Sequence, residues 1–179
     1  MATKVAQFVG IMLYVLVAGV MWGTWLSLGR TMTRYDAATF LADGKHMIAN
    51  LAAVMAVLMI SAVVAGLLVV VLLLRGGSRV AVVLALAGLL LMVAVLVVTL
   101  AVEVPLDNRI KGWTPSTLPS DWQDLRARWA AFHTLRTFLS LGAVAAAVAA
   151  TLVGRPGSTR PDVAPATRGA DGGSRSLST

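Results

Sequence analysis

The chain has 179 residues, 58% of them hydrophobic and only 13% charged, with a mean hydropathy of +0.83. These proportions exclude an ordinary water-soluble fold, and no polar stretch is long enough to make a separate soluble catalytic domain, so any function lives within a bilayer or at its rim. The net charge of +7 comes from Lys and Arg scattered over loops and tail rather than gathered on one basic face. That distribution excludes nucleic acid as partner and favours anionic lipid headgroups, while the absence of Cys excludes disulfides, thiolate metal sites and Cys nucleophiles.

A helix needs about 20 apolar residues to cross about 30 Å of hydrocarbon, and four segments meet that length. The first, about residues 5–29, is too long for the apolar core of a signal peptide and has no small-residue cleavage site behind it, so it reads as a retained span. The second, about 47–74, is broken only by weakly polar residues such as Asn50 and Ser61. The link Arg75-Gly76-Gly77-Ser78-Arg79 is so short that the second and third spans must be antiparallel neighbours. The third, about 80–102, holds no charged residue, and Pro105 is expected to end it. The fourth runs over about 122–153.

Continuous apolar runs of this kind make helices, because barrel strands would be short and alternating. The expected fold is therefore all-α: an integral membrane four-helix bundle of antiparallel up-down spans over residues 1–153. From Gly154 onward Gly, Pro, Ser, Thr and four Arg dominate without apolar periodicity, which predicts a disordered tail over 154–179. Small residues at four-residue spacing, Gly19/Gly23 and Gly142/Ala146/Ala150, predict close helix packing inside one bundle. Lys and Arg number seven on the side of the termini and eight on the other. The charges set tight against spans, at the 75–79 turn and Arg155, favour a multi-pass cell-membrane protein with both termini in the cytoplasm.

Up-down topology gathers the end of the first span, the start of the second, the end of the third and the start of the fourth. That end receives Trp22, Thr24, Trp25, Ser27 and Arg30, then His46 and Asn50, then Thr99, Glu103, Asp107, Asn108 and Arg109. All five Trp and both His of the chain fall there. An aromatic belt accounts for part of this, yet a belt decorates both interfaces and the opposite end has no Trp. At 100° per residue, Trp122, Arg126, Trp129, His133, Arg136 and Ser140 share one stripe of the fourth helix, and a stripe in a bundle points inward.

An Arg at the centre of a span costs about 2.5–3.5 kcal/mol, so Arg136 needs a partner or a purpose. Glu103 ends the preceding span on the same side. An Arg136–Glu103 pair holding two helices in register is one reading, and a substrate or proton-transfer site shared with His46, Asn50 and His133 is the other. His46 and His133 with Glu103 or Asp107 match the ligand count of a metal triad, but no dense ligand motif accompanies them and no metal is expected.

Residues 103–136, EVPLDNRIKGWTPSTLPSDWQDLRARWAAFHTLR, resemble the anthrone oxygenase-like family of small four-helix membrane proteins. The resemblance rests on Val104, Pro105, Leu106 and Asn108 after the third span, then on Trp122, Arg126, Trp129, His133 and Arg136 entering the fourth. It implies oxidation of a phenolic, anthrone-like substrate by molecular oxygen, with no metal or organic cofactor. Under it His133 is the general base, with Arg136 and Asn108 holding the oxyanion that forms. Trp22, Trp25 and Trp129 are walls against a flat aromatic ring, with His46, Asn50, Glu103 and Arg126 completing the binding end. The expected partners are the lipid bilayer and a hydrophobic aromatic small molecule. The alternative is a non-enzymatic bundle, a binding, transport or accessory subunit whose polar end is structural. A transporter would show broken helices or inverted repeats near the midplane, and the sequence has neither.

Overall fold

Val-rich runs such as VAVVLALAGLLLMVAVLVV are mediocre helix formers in water. In hydrocarbon each unsatisfied backbone group costs several kcal/mol, so a segment that satisfies its own hydrogen bonds wins regardless of side-chain propensity. The computed structural model, which describes residues 1–29 and 31–153, follows that logic: it contains no strand among the described residues. Helix α1 runs Ala2–Thr24 and continues as a π-helical turn Trp25–Gly29. After a 3₁₀ turn at Met32–Arg34 come α2, Ala37–Leu74, and α3, Arg79–Val98. A second π-helical turn, Thr99–Glu103, joins α3 to α4, Val104–Gly112. Helix α5 spans Trp122–Val153. The tail expected over 154–179 lies outside the described residues, as does Arg30.

Helix α1 packs on α2 and α5, and α3 on the same two, so the four long helices form a closed ring. Their alternation shows in the packing layers. Val69, Val70 and Leu73 late in α2 meet Ala81 and Ala85 early in α3, Ala150 late in α5 and Ala6 early in α1. A middle layer joins Tyr14, Met59, Met92 and Ala143. At the opposite end Phe40, Leu41, Leu106, Ile110 and Trp129 form a third layer with Met32. Outward faces are apolar too: Val57, Val64, Leu67, Val83, Leu90 and Leu100 are among the many large exposed side chains. Water would not tolerate so extensive an apolar surface, and each of four helices has the length and hydropathy to cross a membrane. This is a multi-pass membrane bundle, all-α as the hydropathy predicts.

The fourth helix's small residues sit where their spacing predicts. A Cβ on Gly88 would lie 3.2 Å from the Ala143 carbonyl oxygen, so α3 and α5 approach backbone to backbone along the stripe that Gly142, Ala146 and Ala150 occupy. Gly19 and Gly23 behave otherwise. Both are exposed, and a Cβ on either would meet nothing within 4 Å, so this pair does not pack inside the bundle.

Two boundaries differ from the hydropathy reading. Helix α2 begins at Ala37 rather than near 47 because Asp36 caps it, its Oδ1 accepting from the Thr39 N–H at 2.8 Å. Polar residues of those first turns stand beyond the apolar run, where hydropathy is blind. Pro105 does not end the third span, which continues to Gly112. Pro in an α-helix loses a backbone donor and clashes with the carbonyl four residues back. The preceding turn widens instead, the Val104 N–H reaching back five residues to the Thr99 carbonyl, and Pro105 then occupies the first turn of α4, where its missing N–H costs nothing.

The Asp36 cap yields a pH prediction. Hydrogen bonding from Thr39 holds the Asp36 carboxyl below its ordinary range. A depressed native pKa stabilises the fold above the ordinary carboxylate range and is lost as pH falls through the lowered value. Amide hydrogen exchange at Thr39 and Phe40 is therefore expected to rise, relative to mid-helix amides, as pH drops below the carboxylate range. The rise should be absent in Asp36→Asn, whose side chain caps at every pH.

Candidate functional site

The N-terminal part of α5 carries the polar stripe inward. Trp129, His133 and Ser140 are buried, with Thr137 beside them, while Trp122, Arg126 and Arg136 are half-buried. Two hydroxyls spend themselves on their own helix: Thr137 donates to the His133 carbonyl at 2.7 Å and Ser140 to the Thr137 carbonyl at 2.7 Å. The Trp129 indole lies flat on the His133 imidazole, ring centres 5.0 Å apart and planes inclined by 2°.

The π-helical turn of the third span supplies the other half. It begins at Thr99 and ends at Glu103, and both reach Arg136. The Arg136 Nη1 donates to Thr99 Oγ1 at 3.3 Å, and Nη2 lies 3.4 Å from Glu103 Oε2 and 3.0 Å from His133 Nδ1. Glu103 is 1% exposed. The Arg136–Glu103 pair expected from the sequence is present and joins α3 to α5, as part of a larger network.

The network fixes the histidine's tautomer. A guanidinium only donates, so His133 Nδ1 must accept and the ring proton sits on Nε2. That Nε2, the Arg136 Nε and both Glu103 carboxylate oxygens are buried without a hydrogen-bond partner among the described residues. Buried polar atoms left this way are costly, and the Arg136–Glu103 ion pair with the Met21 backbone beside His133 offsets part of that cost.

A cavity of about 240 Å³ opens beside them. Its polar lining is His133, Arg136, Asp107, Thr99 and Thr24; the rest is apolar and rich in methionine, with Met21, Met47, Met55 and Met59. Methionine is unbranched and polarisable, suited to varied flat ligands. The volume exceeds the roughly 150 Å³ apolar void that takes up one benzene ring, so a ligand of more than one ring has room. Asp107 is half-buried and close enough to Arg136 and Glu103 to interact electrostatically with both.

Of the residues expected at the site, His133, Arg136 and Trp129 line the cavity. Glu103 is not among the lining residues and stands behind Arg136. Asn108 is exposed on α4, outside the lining; its neighbour Asp107 turns inward because Leu106 and Ile110 bury the adjacent face. His46 and Asn50 are exposed on the outer side of α2, while Met47, Ile48 and Leu51 of that helix face the cavity. Trp22 and Trp25 stack on each other with ring centres 5.1 Å apart, and Phe138 meets both edge-on. The Trp25 indole N–H donates to Thr134 Oγ1 at 3.1 Å. This cluster lies between α1 and α5, outside the cavity lining.

Arg126 ties the start of α5 to the segment before α2. Its Nη1 donates to the Tyr35 carbonyl at 2.9 Å, and its guanidinium lies 4.7 Å from the Trp122 ring centre. Among the described residues no group of three or more His, Cys, Asp or Glu could hold a metal ion. The cavity's methionines are the lining residues that the sequence does not mark. Thr99 and Asp107 are visible as polar groups at the right end, whereas the methionines look like any other apolar residue.

Fold and site together define a polytopic membrane bundle with an apolar, polar-floored cavity at the end where α2, α4 and α5 meet. The chain belongs to the anthrone oxygenase family, whose family model matches residues 39–148, from the first turn of α2 to near the end of α5. No curated protein and no solved structure gives a match.

Proposed function

We propose that the protein is a membrane oxygenase that oxidises a hydrophobic phenolic, anthrone-like compound with molecular oxygen and no other cofactor. The observation that carries this reading is a cavity of otherwise apolar walls whose polar lining gathers His133, Arg136, Asp107, Thr99 and Thr24. Membership of the family supports the reaction class.

The chemistry follows from the groups present. Asp107 takes a proton from the methylene carbon of the anthrone. The electron pair left behind moves to the carbonyl oxygen, where His133 Nε2–H and Arg136 hold the oxyanion. Total charge is unchanged by that transfer, because Asp107 becomes neutral as the substrate becomes an anion. The electron-rich enolate reduces oxygen and combines with it at the deprotonated carbon, giving a hydroperoxide once a proton is returned. Loss of water from that carbon leaves a second carbonyl. One anthrone and one oxygen molecule thus become one anthraquinone and one water, with atoms and electrons balanced.

In this scheme His133 acts as a donor to the oxyanion, because its Nδ1 is engaged by Arg136. Asp107 is the base, in the position next to the exposed Asn108. The test is oxygen uptake by purified protein in nanodiscs supplied with an anthrone. Equimolar consumption, and one labelled oxygen atom in the quinone formed from ¹⁸O₂, are expected. Absence of uptake by folded protein would overturn the reading and leave the Glu103–Arg136–Thr99 network as a clamp between helices in a binding or accessory bundle.

A further inference from the structure

The cavity has a side opening. Among its lining residues, Ala52, Ala56 and Ile60 of α2 recur every fourth position and are exposed, and so are Leu100 and Val104 across the gap. Four-residue spacing places each set on one face of its helix, so two apolar rows border the same opening. Near the Arg75–Arg79 turn the two helices are closed by Val69, Val70 and Leu73 against Ala81, Ala85 and Leu89.

The height of this opening follows from helix rise. At about 1.5 Å per residue, Ile60 lies roughly 20 Å and Ala52 roughly 33 Å from Leu74 at the turn. Hydrocarbon is about 30 Å thick, so the opening spans the outer acyl chains and the headgroup boundary, where amphipathic ring compounds collect. The aqueous end is covered. Met32, Phe40, Leu41, Ile48 and Trp129 pack over it, and Ile48 and Trp129 also line the cavity, as its roof.

From these positions we infer that the site is loaded from the bilayer through the gap between the Ala52/Ala56 row and Leu100/Val104, and that its ligand is a ring compound bearing an aliphatic chain. The oxygen-bearing ring passes inward to His133 and Arg136, and the chain stays in lipid. Ala52 and Ala56 carry the smallest side chains on the rim, so a bulkier residue there narrows the aperture. The ring end of this inference rests on the reading under "Proposed function"; the route does not.

A photoreactive long-chain alkylphenol, with its diazirine beside the ring, tests the route in nanodiscs. In the unsubstituted protein, labelling mapped by mass spectrometry is expected at cavity residues such as Met55, Met59 and Trp129. Ala52→Phe and Ala56→Phe should each lower that labelling at least tenfold, and the milder Ala56→Val should lower it less. Val57→Phe, on the exposed face of α2 outside the lining, should leave it unchanged. Cavity labelling that persists in both Phe variants, or falls equally in Val57→Phe, would overturn the lateral route. Faster labelling in Arg126→Ala, with the Phe variants unaffected, would place entry at the aqueous end instead. Oxygen uptake is read separately: lost labelling in the Phe variants with no turnover by any protein keeps the route and discards the oxygenase. Turnover that both Phe variants retain discards the route alone.

Discussion

Arg136→Ala is expected to be the most destabilising single substitution at the polar end, lowering stability by about 3–5 kcal/mol, as when one partner is cut from a buried ion pair. The reason lies in what remains. Glu103 is 1% exposed and neither of its oxygens accepts a hydrogen bond, so Arg136 is its principal compensation. Glu103→Gln should cost less, because Arg136 is 13% exposed and keeps its bond to Thr99 Oγ1 and its contact with His133. Replacing both, as Arg136→Met with Glu103→Leu, should recover most of the loss, since exchange of a buried pair for apolar side chains is often neutral or better. Thermal midpoints of the four proteins in one detergent check this. A double variant no more stable than Arg136→Ala would mean that the guanidinium acts through Thr99 and His133 rather than through Glu103.

That network was half legible in the chain. Spacing alone placed Trp129, His133, Arg136 and Ser140 on one inward stripe, because α5 is a regular helix through all of them. Glu103 was legible by elimination, as the carboxylate nearest the end of the third span. Thr99 was harder, because the π-helical turn that delivers it together with Glu103 follows from the pressure of Pro105 on the preceding turn, and a hydropathy profile has no term for that. The same blindness hid the first ten residues of α2, which only the Asp36 cap reveals, and read Pro105 as a terminus.

The cavity walls were the least legible part. Trp22 and Trp25 advertise themselves as walls by ring size, yet the helix phase at the end of α1 turns them toward Phe138 and Thr134. Met21 and Val20 face the cavity from that helix. Asn50, His46 and Asn108 illustrate the complementary effect. Each is polar and at the right height, and each is exposed, because the inward positions of those helices belong to Met47, Leu51 and Asp107. Which end of a span a residue occupies can be read from hydropathy. The face of a nearly all-apolar helix cannot, because lipid and core select the same residues.

His133 carries the second large effect, and its substitutions separate two chemistries. If Nε2–H donates to the oxyanion, His133→Phe, which keeps the ring on Trp129, should lower kcat about 10²–10³-fold, the usual loss for one such donor. His133→Gln can set an amide N–H near the same point and should stay within about tenfold of the unsubstituted protein on that basis. Asp107→Asn, removing the proposed base, should lower kcat about 10²–10⁴-fold. The opposite pattern, Gln as inactive as Phe and Asn nearly unimpaired, would make His133 the base and require its bond from Arg136 to break before each turnover. Initial rates of anthrone oxidation in nanodiscs, with thermal midpoints as the control for folding, decide between them. The donor pattern is expected because a guanidinium 3.0 Å from Nδ1 leaves Nε2 with a proton to share and no lone pair to offer.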